Sequence, residues 1–275
     1  MATNVFTYSG ISSADGTVIG YQHGGNGPGL IIVPGVLSTS ADYTKIATLL
    51  SASFTVYIID RRGRGGSGPQ GAAYGISKEC EDVKALQEAT GAPYIFGHSF
   101  GGFVTLETAT RYPGFKGMVV YEPGVSVRDT PWEWIHPYEQ ALKIGKPRHA
   151  FASFVQGAGH TPLSKTPKWF ARFILRMMIR GAHWQEIDAL LVTNLNEHKE
   201  AKKLSDTYSR YKAINSKVLL IAGEKSPAFV HSTNQVVAAT IANAQYQTLP
   251  GLSHLSPENK EAPETIAAEI IRFLA

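Results

Sequence analysis

Gly97-His98-Ser99-Phe100-Gly101-Gly102 is the segment of this 275-residue chain best suited to chemistry. A serine hydroxyl is a weak nucleophile until a neighbouring base activates it. The G-x-S-x-G spacing holds the serine on a sharp turn: its small neighbours let a strand and a helix approach closely, and the helix N-terminus favours developing negative charge. The context fits, because Tyr94 to Phe96 is short and apolar and the pattern from Ser99 to about Arg111 is helical. Ser99 therefore reads as a nucleophile rather than an incidental serine in a Gly-rich turn. His254 is the candidate base. The chain has nine histidines, most of which must be structural or superficial. His254 stands apart because it follows the last apolar strand by one short loop and precedes a helix. His98 reads as a structural residue or as pocket lining, and is taken as a candidate substrate contact.

The elements around these residues alternate. Val5 to Tyr8 and Thr17 to Gln22 are two β-rich runs separated by Asp15-Gly16, a hairpin signal. Leu30 to Val33, Phe54 to Ile59, Tyr94 to Phe96, Met118 to Tyr121, Lys217 to Ile221 and Gln245 to Leu249 follow as short apolar strands. Helical patterns lie between them, near residues 41 to 50, 77 to 89 (with Ser77 as expected cap), 99 to 111, 229 to 241 and 261 to 274. The pattern predicts an α/β fold with a mostly parallel, doubly wound sheet of about eight strands, covered on both faces. Residues 126 to 211 break the alternation. They hold no convincing strand, carry Trp132, Trp134 and Trp169, and read as a helical insertion between core segments 1 to 125 and 212 to 275.

Three further segments carry a resemblance. Val33-Pro34-Gly35-Val36, Asp60-Arg61-Arg62-Gly63-Arg64-Gly65-Gly66-Ser67 and Gly251-Leu252-Ser253-His254 resemble, in order, three loops of the α/β-hydrolase fold family. These are the loop after the third strand, the D-x-R-G-x-G-x-S turn and the catalytic-histidine loop. With the elbow at Ser99 the resemblance extends over essentially the whole chain. It implies the backbone N–H groups of Val36 and Phe100 as an oxyanion hole. The insertion, by its tryptophans and one-signed charge, is expected to form a helical cap in which Trp132 and Trp134 line the substrate pocket. The acid of the triad departs from the commoner pattern. Where most relatives have an aspartate after the seventh strand, this chain reads Gly223-Glu224-Lys225-Ser226-Pro227, and a neutral serine cannot stabilise an imidazolium as a carboxylate does. Some members of the fold draw the acid from the sixth strand, which here ends in Tyr121-Glu122-Pro123. Glu122 is preferred, Glu224 is second, and the absence of any acid is third.

Other chemistries fit less well. Gly63-Arg64-Gly65-Gly66-Ser67-Gly68 matches G-x-G-x-x-G, but Pro69 and Gly71 follow and no helix opens to receive a pyrophosphate. No His, Cys or carboxylate cluster has zinc-ligand spacing, and no metal or organic cofactor is expected. The net charge of +4 does not indicate nucleic acid, because the excess lies in one segment. From Gln140 to Gln185 there is no Asp or Glu, against eight Lys and Arg. Within it, Lys168, Arg172, Arg176 and Arg180 recur every four residues beside Trp169, Phe170, Phe173, Ile174, Met177 and Met178. The favoured reading is a solvated cationic face over a packed apolar one; attraction to acidic substrates or an anionic membrane surface is the alternative. Met1 to Gly10 lacks the features of a secretory signal, no apolar run approaches the roughly 20 residues of a membrane span, and Cys80 is the only cysteine. Together these predict a cytoplasmic protein. The expected activity is hydrolysis of a small carboxylic ester or lactone through an acyl-enzyme. The alternatives are carbon–carbon bond hydrolysis by the same triad and a binding protein that has lost turnover.

Overall fold

The computed structural model describes residues 6–128 and 130–275. Of the described residues, 6–125 and 207–275 form a larger compact unit, and 126–128 and 130–206 a smaller one. In the larger unit eight strands form one sheet: β1 Thr7–Ser12, β2 Val18–Gly25, β3 Gly29–Val33, β4 Thr55–Ile59, β5 Tyr94–His98, β6 Gly117–Tyr121, β7 Lys217–Gly223 and β8 Ala244–Leu249. Their spatial order is β1-β2-β4-β3-β5-β6-β7-β8. The β1–β2 and β2–β4 pairings are antiparallel, and every pairing from β4 onward is parallel. Parallel strands buried on both faces need continuous apolar runs, and β3, β5 and β6 supply them. Leu30, Ile32, Phe96, Val119 and Leu219 pack on one face with residues of α1 (Thr44–Leu50) and α9 (Pro263–Leu274). Ile31, Ile95, Val120 and Leu220, in alternate register, are equally buried.

Two local expectations shift. The first strand is Thr7–Ser12 rather than Val5 to Tyr8, since its register is set by pairing of Tyr8 with Gln22 and Gly10 with Gly20; Val5 lies outside the described residues. Helix α2, Ile76–Thr90, opens one residue before Ser77 with extended Gly75 as its N-cap, so Ser77 lies inside the helix. The remaining helices of this unit are α3, Phe100–Arg111, and α8, Ala228–Thr240. Cys80, on α2, is buried, which pushes its thiol up to about 12 and leaves it unreactive.

The smaller unit holds α4 Ile135–Lys143, α5 Pro147–Gly157, α6 Lys168–Met178 and α7 Gly181–Lys203, with no strand among its described residues. Residues 207 to 211, expected in the insertion, group with the larger unit. Buried Tyr211 accounts for this, because its hydroxyl donates to Glu107 of α3 at 2.8 Å. No helix among the described residues is long and apolar enough to cross a membrane.

Candidate active site

Ser99 sits between β5 and α3 with φ 54° and ψ −122°, a conformation a non-glycine residue adopts only where its surroundings over-determine it. Here they do. The Ser99 N–H donates to Tyr121 O at 2.9 Å, and its carbonyl accepts from Gly124 N at 2.8 Å and Phe103 N at 3.1 Å. The flanking glycines are required by space. A Cβ on Gly97 would stand 2.4 Å from Thr105 Oγ1, and one on Gly101 would stand 2.1 Å from the Val33 carbonyl oxygen.

At the end of the neighbouring strand, Glu122 also has a positive φ, 46°, and its N–H is held by Ile221 O at 2.9 Å. The residue is 2% exposed, and its carboxylate uses both oxygens. Oε2 accepts from His254 Nδ1 at 2.7 Å, while Oε1 accepts from Gly223 N at 2.8 Å and Ser226 Oγ at 2.5 Å. Burial opposes the charged form. The hydrogen bond and charge of His254, with the Ser226 and Gly223 donors, together outweigh it and hold the carboxyl below its ordinary value. With its proton on Nδ1, the imidazole turns Nε2 toward Ser99 Oγ, 3.1 Å away. The line Glu122–His254–Ser99 is thus continuous in hydrogen bonds. Glu224, the second candidate, is exposed and accepts from Gly251 N at 2.9 Å instead.

The loop after β3 lies against the elbow: a Cβ on Gly35 would come 3.3 Å from Ser99 Cβ. Two buried arginines grip this loop. Arg61 donates to Pro34 O at 3.0 Å and Gly35 O at 2.9 Å, and Arg64 donates to Gly35 O and Ser38 O, both at 3.1 Å. Glu79 balances Arg61 at 3.0 Å, and the same guanidinium stands 4.9 Å from the centre of the Phe100 ring. All described peptides are trans, so the Val36 N–H points opposite to the Gly35 carbonyl that the arginines hold. On the other side of Gly35, its N–H donates to Tyr43 Oη at 3.0 Å.

A model of the alpha/beta hydrolase family matches residues 30–269. The chain belongs to the alpha/beta hydrolase family. Among curated relatives, this hydrolase is 34% identical over 129 residues to N-formylmaleamate deformylase of Pseudomonas putida, a match covering 45% of this chain and 48% of that protein. The chain thus spans about half the deformylase's length. It is 23% identical over 261 residues to 2-(acetamidomethylene)succinate hydrolase of Mesorhizobium japonicum, covering 91% and 89% of the two chains. A solved alpha/beta hydrolase from Sphaerobacter thermophilus superposes with a TM-score of 0.83 at 28% identity, covering 97% of this chain and all of that one.

The other candidate residues of this alpha/beta hydrolase divide. Val36 is half-buried in the gripped loop, and Phe100 is the first residue of α3. His98 is not available to a substrate. It is 1% exposed, with Nδ1 2.5 Å from Tyr43 Oη and Nε2 2.8 Å from the His254 carbonyl. Nε2 must donate to that carbonyl, so Nδ1 accepts from the tyrosine. Burial first, and the charge of His254 second, hold this imidazole well below its ordinary pKa and keep it neutral. His98 therefore ties Tyr43 to the histidine loop, the structural alternative of the sequence reading. Trp134 is likewise corrected. It is 9% exposed inside the smaller unit, among Tyr138, Phe154 and His198, with Gly157 pressed against its ring. Trp132 is half-buried, donates Nε1–H to Ser205 Oγ at 2.9 Å, and lines a cleft of about 500 Å³ with Glu133, His136, Glu139 and Lys202. Sequence reasoning missed Tyr43, Arg61 and Arg64 as supports of the site. The available signal was a Gly-rich turn holding three arginines, more charge than a solvent loop of that length requires.

Proposed function

We propose that this hydrolase cleaves a small carboxylic ester or lactone by two-step acyl transfer, with Ser99, His254 and Glu122 as its triad. The observation that carries this reading is the unbroken hydrogen-bonded line from the buried Glu122 carboxylate through His254 to Ser99 Oγ. As Ser99 Oγ bonds to the substrate carbonyl carbon, His254 Nε2 takes the hydroxyl proton. The carbonyl oxygen becomes an oxyanion, for which the Val36 and Phe100 N–H groups are the proposed donors. Collapse breaks the bond to the leaving oxygen, and His254 returns its proton there. Water then attacks the acyl-serine, giving a proton to His254, and the acid leaves as Ser99 recovers it. Glu122 stays ionised throughout, fixing the tautomer and stabilising the imidazolium.

The binding-protein alternative rested on the missing aspartate after β7; the Glu122 carboxylate beside His254 supports turnover instead. A second reading, amide cleavage, is favoured by the names of the two curated relatives, which describe a carbonyl bound to nitrogen on a dicarboxylic frame. The same triad serves, with the proton of His254 delivered to a leaving nitrogen. Ser99→Ala should abolish both turnover of a short-chain p-nitrophenyl ester and labelling by a fluorophosphonate. Undiminished turnover in that folded variant would sink the triad. Comparing kcat/KM for an aliphatic lactone and for N-formylmaleamate separates the two leaving groups. A higher value for N-formylmaleamate would replace the ester reading with the amide one.

A further inference from the structure

Helix α6 does not pack as its sequence suggests. Only Ala171 and Leu175 are buried, so the helix is attached by a narrow face of small and aliphatic residues. At about 100° per residue, Trp169, Phe173 and Met177 fall on the opposite side. They are 66%, 57% and 51% exposed, and Met178 is 74% exposed. Beside this apolar stripe runs the cationic one, Lys168, Arg172 and Arg176, continued by Arg180 just past the helix. The expected arrangement, cations in water over packed aromatics, is thereby overturned: the aromatics are in water too.

The cations lack acidic partners. Among the described residues no carboxylate pairs with Arg172, Arg176 or Arg180, in keeping with the absence of Asp and Glu from Gln140 to Gln185. Arg148 of α5 extends the patch. It is braced by the Trp184 ring at 4.0 Å and by Ile179 O at 3.2 Å, and it shares a cleft of about 580 Å³ with Phe173, Arg176, Met177 and Arg180. His149 records the same field: burial, then the charges of Arg172 and Lys146, hold it below its ordinary pKa.

We infer that the α6 face of the smaller unit is a docking surface for an anionic lipid bilayer. Charge complementarity selects the occupant. From Lys168 to Arg180 the cations extend about 18 Å along the helix direction, which suits a plane of headgroups better than one small anion. A second copy of this chain seated with the two helices antiparallel would set the two cationic stripes against each other. The parallel apolar stripe has the place and the residue types, Trp, Phe and Met, of the side of an interfacial helix that enters the acyl boundary. Cations bring the face to the membrane; the apolar side chains hold it there.

The test uses the full chain with vesicles of phosphatidylglycerol mixed into phosphatidylcholine, against vesicles of phosphatidylcholine alone. Co-sedimentation is expected only with the anionic vesicles, weakening as salt rises, with a blue shift of tryptophan emission that Trp169→Phe diminishes. Each cation near such a surface changes binding by about fivefold, so R172E/R176E should reduce it at least 25-fold. Phe173→Ser with Met177→Ser should keep the salt-dependent approach while losing the blue shift. Trp169, Phe173, Arg176 and Met177 are exposed and Arg172 is half-buried, so unchanged thermal unfolding of the variants serves as the fold control. Absence of sedimentation with anionic vesicles at low salt would overturn the inference. Equal binding to both vesicle types, or a dimer in lipid-free solution that Phe173→Ser dissolves, would overturn it as well.

Discussion

The end of β6 and the turn after β7 are neighbours built for one task and equipped differently. Tyr121 pairs with Ile221 in parallel register, so both strands deliver their next residues to the same edge of the sheet. The β6 end supplies Glu122, whose carboxylate meets His254. The β7 turn supplies no acid to the histidine; its Ser226 hydroxyl and Gly223 N–H donate to the other oxygen of Glu122. What the arrangement requires is a carboxylate oxygen beside His254 Nδ1, and not a particular strand to carry it. The longer glutamate reaches that point from the adjacent strand. The position it leaves vacant holds a donor that favours its charge.

The comparison breaks most sharply at Glu122. Glu122→Gln keeps the shape and removes the charge, and should lower kcat by about 10⁴; a loss below tenfold in an ester assay would end the case for the β6 acid. Moving the acid back is the next largest effect. In E122Q/S226D the aspartate should recover about 10- to 100-fold of the lost rate, a coupling expected of residues in contact. No recovery, in a double variant that unfolds normally, would mean that the β7 turn no longer directs a side chain to His254.

Ser226→Ala tests the supporting role. A hydrogen bond to a charged group contributes about 1.5–3 kcal/mol, and a fall in kcat of about tenfold is expected. Its pH signature follows from the depressed Glu122 pKa. A carboxyl lowered in the folded state stabilises the protein fully above the ordinary glutamate value of about 4.3, and the contribution is lost as pH falls through the folded pKa. Removing the Ser226 donor raises that folded value. Acid unfolding of Ser226→Ala, followed by circular dichroism, should begin at higher pH than in the natural chain; coincident curves would show that Ser226 does not tune the acid. Glu224→Gln should change kcat by less than about threefold, since it loses only an exposed contact to Gly251. A crippling effect there would return the acid to the β7 turn.

Much of the core was legible because its signals are local. The glycines around Ser99 announce a turn that only glycine permits, and the apolar runs Leu30 to Val33 and Met118 to Tyr121 announce buried parallel strands. Glu122 was offered by the resemblance, since some members of the family carry the acid at the end of that strand, once a serine stood at position 226. The supports were not legible. Tyr43 and His98, 55 positions apart, meet only after folding, as do Arg61 and the Gly35 carbonyl 26 positions apart, and no spacing rule relates them. Helix α6 shows a different limit. Periodicity defines two stripes on a helix but not which of them meets the protein; the partner's surface decides that, and here it accepts Ala171 and Leu175. Trp134 was misread for the mirror reason, because a large aromatic suits a small unit's interior as well as a pocket wall.

The grip of Arg61 and Arg64 on the Gly35 carbonyl also bears on timing. A flip of the Gly35–Val36 peptide would carry that oxygen away from both buried guanidinium groups, and each such hydrogen bond is worth about 1.5–3 kcal/mol. The flipped state is therefore scarcely populated, and the Val36 N–H has its direction before any substrate arrives. No part of the substrate's affinity need go into rotating that peptide. With the Val36 N–H as the proposed oxyanion donor, a tetrahedral mimic should bind as fast as diffusion and desolvation allow, without the slow onset that marks a site still arranging its donors.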